Sequence, residues 1–154
     1  MELEEKINRL LLKCIDLSLK NDDVPVGAVI VLNDKIISYG WNNRNKRNNI
    51  LGHAEINAIL KAQKKLKTWH LDDCELYVNL DPCSMCKSVI YNSHIKRVYY
   101  NVVKDVTKKE FDRTEFIKKD NYINKITIEK LRNFFEDKRW AKFNRNVEFN
   151  SFFW

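Results

Sequence analysis

Two short motifs carry side chains suited to holding and using a metal ion. His53-Ala54-Glu55 is one, Pro82-Cys83-Ser84-Met85-Cys86 the other, with residues 56–81 between them. An imidazole and two thiolates make three zinc ligands, and three protein ligands leave the fourth tetrahedral position for water, the arrangement of a catalytic site. Glu55 need not be a ligand, and a spare carboxylate beside such a water can move its protons. The competing arrangement is a closed structural site, which needs a fourth donor from Cys14, Cys74, His70 or His94. Cys74 lies before an expected strand, and Cys14, on the buried face of the first helix, reads as a small hydrophobe. His70 and His94 have no neighbour at ligand spacing and read as surface or satisfied core residues.

The elements around these residues must bring them together. Cys83 and Cys86 are three apart in the first turn of an expected helix over 83–92, which puts both sulfurs on one face. Pro82 suits the start of that helix. The helix N-terminus and the cation both favour the thiolate. His53 opens a second expected helix, 53–66, with Ile56, Ile59 and Leu60 facing inward. Residues two apart on a regular helix diverge, so His53 and Glu55 converge only if His53 sits at the helix edge. Gly52 supplies backbone freedom there.

Around the motifs, Leu3, Ile7, Leu10, Leu11, Cys14 and Ile15 give an amphipathic helix over 2–20. A hairpin follows, 24–32 with 35–39 across Asn33-Asp34, then a polar loop over 41–51. Strands are expected at 75–80 and 95–100, with a weak signal for a fifth at 122–128. A basic, aromatic helix runs from Glu129, with Leu131, Phe134 and Phe135 as its apolar stripe. The resulting α-β-β-α-β-α-β-(β)-α order implies a mixed sheet of four or five strands covered by helices, an α/β architecture. Both motifs fall where a strand or loop yields to a helix, a common place for active sites in such sheets.

The chain has 154 residues, 44% apolar and 32% charged, which fits one domain over 1–154 with its own core. No apolar run reaches about 18 residues, so no membrane span is expected. The acidic, amphipathic start Met1-Glu2-Leu3-Glu4-Glu5 does not read as a signal or transit peptide. Four cysteines, two of them in a C-x-x-C, suit metal binding in a reducing compartment, and the cytoplasm is the expected location. The net charge of +7 reads either as a footprint for nucleic acid or as the residue bias of an AT-rich genome.

Beyond the zinc motifs, the chain resembles the bacterial tRNA-specific adenosine deaminases, a branch of the cytidine/deoxycytidylate deaminase superfamily whose motif is H-x-E…P-C-x-x-C. The resemblance runs through Asp23-Val24-Pro25-Val26-Gly27-Ala28-Val29, Gly40-Trp41-Asn42, Thr68-Trp69-His70-Leu71 and Leu76 to Cys86. It covers residues 2–100 well, and the last helix loosely through Phe134-Phe135 with Lys138 and Arg139. It implies a three-layer α-β-α cytidine-deaminase-like fold, a homodimer and one Zn2+ per subunit. The implied reaction is hydrolysis of the wobble adenosine in a tRNA anticodon stem-loop to inosine, with release of ammonia.

Carried over by position, His53, Cys83 and Cys86 hold zinc and Glu55 moves protons from the attacking water to the purine and the leaving amine. Asn42 hydrogen-bonds the base, Val26 packs on it, the Ala54 amide lines the pocket, and the main chain near Pro82 orients the water or the amino group. A base must leave its stack to react, which a loop permits at little cost. Lys130, Arg132, Lys138, Arg139, Lys142 and Arg145, interleaved with Phe134, Phe135, Trp140 and Phe143, suit phosphates and bases; Leu131 and one phenylalanine belong to the core. Lys61, Lys64, Lys65 and Lys67 read as a solvated face, and Phe152-Phe153-Trp154 as a segment docked on the core or on a second subunit.

Three features depart from the family. Asp81 stands where a glutamate is usual, and Asn101-Val102-Val103-Lys104-Asp105 replaces a Gly-Ala-x-Asp segment. No glycine follows position 52. The acidic group expected to help hold the RNA loop is thus displaced to Asp105 or missing. The alternatives are a deaminase of a free base or nucleoside, such as guanine or cytosine, and an inactive zinc-stabilised RNA-binding module.

Overall fold

The computed structural model describes residues 1–104 and 113–138. Helix α1 (Leu3–Lys20) leads into strands β1 (Gly27–Leu32) and β2 (Lys35–Trp41). A short helix α2 (Arg44–Arg47) and helix α3 (Ala54–Leu66) follow. Next come β3 (Cys74–Leu80), α4 (Ser84–Asn92), β4 (Arg97–Val102), β5 (Glu115–Lys118) and α5 (Tyr122–Glu136). The sheet order is β2-β1-β3-β4-β5. β1 is antiparallel to both β2 and β3, whereas β3, β4 and β5 are parallel. Parallel neighbours need a crossover, and α4 supplies the one between β3 and β4.

Helix α3 packs on β1 and β2 with α4 beside it, while α1 packs on β1 and β2 and touches α5. The result is a three-layer α-β-α arrangement. Side-chain alternation along β1 assigns the faces. Ala28 and Ile30 join Ala54, Ala58, Ile59 and Ile90 in the larger core. Val29 and Val31 join Ile7 and Leu11 in the smaller one.

The alanines at 54, 58 and 62 are fully buried. Spaced four apart, they form a narrow stripe that lets α3 close on the sheet. That stripe explains Leu60, expected inside but 59% exposed. Gly40 of β2 marks the contact, because a Cβ there would lie 2.5 Å from the Ala54 carbonyl oxygen and 2.7 Å from the Ala58 nitrogen.

The last third of the chain corrects the sequence reading. The fifth strand is Glu115–Lys118, not 122–128, and the final helix begins at Tyr122 instead of Glu129. Asn121 caps it, its Oδ1 accepting from Ile123 N at 2.9 Å, while Asn124 Oδ1 accepts from Asn121 N at 3.1 Å. This reciprocal cap starts a helix through residues whose β-branching suggests a strand. The buried set Ile123, Thr127, Leu131 and Phe135 recurs every fourth residue, a helical period. Arg139, Trp140, Lys142, Phe143, Arg145 and the Phe152-Phe153-Trp154 end lie outside the described residues, as does Asp105.

Candidate active site

Both motifs sit at helix N-termini that converge beyond the C-terminal end of β3. His53 is the N-cap residue of α3, with extended φ −90 and ψ 145, and Cys83 is the N-cap residue of α4, with φ −67 and ψ 169. His53 therefore lies outside the helix proper, which resolves the two-residue spacing to Glu55 in the first turn. Gly52 serves by its size: no glycine here has a positive φ, but a Cβ on it would lie 2.7 Å from Arg44 N.

The donor atoms form a compact set. His53 Nδ1 lies 3.4 Å from Cys86 Sγ and 3.8 Å from Cys83 Sγ, and the three ligand atoms all fall within 4.8 Å of one another. One nitrogen and two sulfurs at such spacing suit a tetrahedral zinc. Among the described residues the cluster stops at three. Cys14 lies in the core on α1 and Cys74 at the start of β3, so neither closes the site. His70 and His94 lie together elsewhere, beside Asp72.

The electrostatics favour a cation. A hydrogen bond from the Cys86 thiol, assisted by His53, holds the Cys83 thiol down at about 3. The same bond, reinforced by burial, pushes Cys86 up. The pair thus shares a proton that a cation would displace. Glu55 is only 3% exposed. Burial raises its carboxyl above the ordinary value, and its side chain bonds Cys86.

The cleft leading to this cluster is lined by Val24, Val26, Asn42, Arg44, His53, Glu55, Leu80, Asp81, Cys83 and Lys104. Val26, Asn42, Glu55, His53 and Cys83, all singled out from the sequence, thus share one cavity. Ala54 stands behind it, its N–H donating to Asn42 Oδ1 at 2.8 Å, while Asn42 Nδ2 donates to Val24 O at 3.0 Å. Pro82 is buried just outside the lining. Lys138 is away from the cluster, paired with Asp22 and 4.7 Å over the Phe134 ring. Phe135 is buried and Phe134 only partly so.

Arg44 and Lys104 are lining residues that sequence reasoning missed. Asp23, fully buried, fixes the first: its Oδ1 accepts from Arg44 Nη2 at 3.3 Å and its Oδ2 from Asn45 N at 3.0 Å. Lys104 arrives because β3 and β4 run side by side, Leu80 opposite Val102 and Asp81 N donating to Val102 O at 2.9 Å. Burial pulls its ammonium below the usual lysine range, opposed by Cys83 and Glu55. Asp81, the shortened family glutamate, is held by Lys87 at 3.4 Å. Only the departure at 101–105 hinted at a changed rim.

This arrangement defines a class. Residues 1–102 match the model of the cytidine and deoxycytidylate deaminase zinc-binding region, and the chain belongs to that family. It is 37% identical over 143 residues to the tRNA-specific adenosine deaminase of Buchnera aphidicola subsp. Schizaphis graminum, covering 86% of this chain and 93% of that one. It is 47% identical over 76 residues to the guanine deaminase of Bacillus subtilis, about half of each chain (49%). A structure solved in work on A-to-I editing by tRNA:A34 deaminases superposes with a TM-score of 0.69 at 26% identity, covering 75% of this chain and 98% of that one. The fold is cytidine-deaminase-like. Among the described residues no helix is long and apolar enough to cross a membrane.

Proposed function

We propose that this chain hydrolyses the wobble adenosine of a tRNA anticodon stem-loop to inosine, releasing ammonia. The observation that carries the reading is Glu55, buried against the sulfur of Cys86 beside His53 and Cys83, in a chain that aligns almost end to end with a tRNA-specific adenosine deaminase. His53, Cys83 and Cys86 would hold one zinc ion per subunit, which would supply the Lewis acidity to activate a water at neutral pH.

The protein's own groups do the rest. Glu55 takes a proton from the attacking water, delivers it to the ring nitrogen next to the reacting carbon, and serves the departing amine in the same way. A carboxyl held within reach of both the water and the base is suited to giving and taking that proton. Val26 supplies an apolar wall for the purine, and Asn42, locked by Ala54 and Val24, presents its remaining amide hydrogen to the base. The main chain at Pro82 orients the water or the amino group, and Arg44 and Lys104 meet the phosphates beside the extruded nucleotide. Lys138 and Arg139 are proposed as further RNA contacts on the family resemblance alone. The enzyme works as a homodimer in the cytoplasm, where its substrate is found.

The similarity to a guanine deaminase over half the chain favours one other reading, deamination of a free base. Incubation with an anticodon stem-loop, guanine, cytosine and adenosine separates the two. Adenosine read as guanosine at the first anticodon position after exposure to the enzyme is the expected result. Glu55→Ala keeps its zinc and makes no inosine. Turnover by that variant refutes the role of Glu55, and turnover of guanine alone overturns the tRNA reading.

A further inference from the structure

At the opposite end of the sheet from the deaminase motifs, the chain brings together two of its three histidines. Leu71 N donates to Ser93 O at 2.8 Å, which clips the segment before β3 to the end of α4. His70 and His94 fall on either side of this clip, their rings 5.1 Å apart at 80°. Asp72 joins them, its Oδ1 3.1 Å from His94 Nδ1. One ligand atom from each of His70, Asp72 and His94 lies within 4.8 Å of the others.

We propose that His70, Asp72 and His94 form a second metal site, selective for a divalent transition ion such as Zn2+ or Ni2+ and separate from the deaminase centre. Two imidazoles and a carboxylate are a donor set for such ions and a poor one for Mg2+ or Ca2+. Ligands at about 2.0–2.1 Å from a tetrahedral ion stand about 3.3 Å apart, so the His94–Asp72 pair is already at working distance. The ion replaces the proton between Nδ1 and the carboxylate. His70 closes in by a side-chain adjustment that its exposed position permits. The Trp69 indole, stacked on the His70 ring at 3.6 Å and edge-on to His94 at 5.3 Å, limits how far either ring swings.

Entry is open, since the side chains of Asp72 and His94 are 48% and 32% exposed. Lys96 and Arg97 line the same cavity, and Arg113 also opposes the ion, its Nη1 3.4 Å from His94 Nε2. It sits on the far side of the ring from Asp72 and rests over the Tyr91 ring at 4.3 Å. This site does not depend on the deaminase reading.

The test uses the full chain with its deaminase centre loaded with zinc and then dialysed against a weak chelator. Calorimetric titration with Ni2+, and separately with Zn2+, is expected to show one further equivalent, with saturable quenching of tryptophan fluorescence by Ni2+. Losing even an outer-shell partner weakens a metal site by about tenfold or more, so losing a ligand weakens it by at least that. His70→Gln and His94→Asn should each do so, asparagine being chosen because residue 94 has φ 68 and asparagine tolerates that region. Arg113→Ala should tighten binding, and Trp69→Phe should abolish the quenching while leaving the stoichiometry. The chain has no other histidine besides His53, so a further equivalent that survives in the His70→Gln/His94→Asn double variant overturns the proposal. So does the absence of any further equivalent in the folded wild type.

Discussion

Four cysteines sit in four different electrostatic settings. Burial pushes the Cys14 thiol up to about 12 and the Cys74 thiol up to about 11, so both stay protonated and unreactive at neutral pH. Cys83 and Cys86 sit at the cleft and reach the reactive form through each other and through a cation. With zinc in place, a chromogenic disulfide reagent at pH 8 should find almost no thiol. After chelation two should react quickly and two only on unfolding. Four fast thiols after chelation would show that the metal holds the fold and not merely the site. Lys104 carries another expectation. If it meets a phosphate, Lys104→Ala weakens stem-loop binding and lowers the slope of log affinity against log salt by about 0.7, without changing affinity for free adenosine. An unchanged slope assigns Lys104 to the pocket wall alone. The ligand residues were legible because donor types and spacing are local properties. Lys104 was not, because nothing near position 104 tells that β4 ends beside the Asp81 turn.

Between elements, the α3–β2 contact sets the site. His53 and Glu55 ride on the first turn of α3, and α3 reaches β2 only because residue 40 lacks a side chain. Gly40→Ala drives a methyl into the backbone of α3. Overpacking of this kind costs about 1–3 kcal/mol. Thermal denaturation should show the loss, and zinc should dissociate more readily because the imidazole moves away from the sulfurs. Normal zinc retention in a destabilised variant would uncouple the two. Most helices and strands were legible from their periods. The segment after β4 was misread because Ile123, Ile126, Thr127 and Ile128 carry strand-like side chains at helical spacing, and the Asn121–Asn124 cap decides for the helix. Leu60 was misplaced for a related reason: apolar type alone does not reveal that an alanine stripe has taken the inner face.

For the molecule as a whole, the charge of +7 and the basic rim of the cleft suit a polyanionic substrate that arrives by long-range attraction. Among the described residues the cleft is lined by Val24, Val26, Asn42 and Arg44 and by Leu80, Asp81 and Lys104, around His53, Glu55 and Cys83. The proposed homodimer is a property of this scale as well. Sedimentation should give twice the mass of one chain at working concentration. A monomer with full activity on the stem-loop would dispose of the homodimer.

The sequence by itself offered the candidate metal donors, the carboxylate proposed as proton carrier and the layered α/β plan, because donor types, a family motif and hydrophobic period are written within a few neighbouring positions. Tertiary structure alone decided that Nδ1 of His53 faces the sulfurs, that Lys104 and Arg44 share a rim, and that His70 meets His94. Each of those depends on the register of strands and the clip between distant segments, and distances through space across a folded sheet leave no trace in the order of residues along the chain.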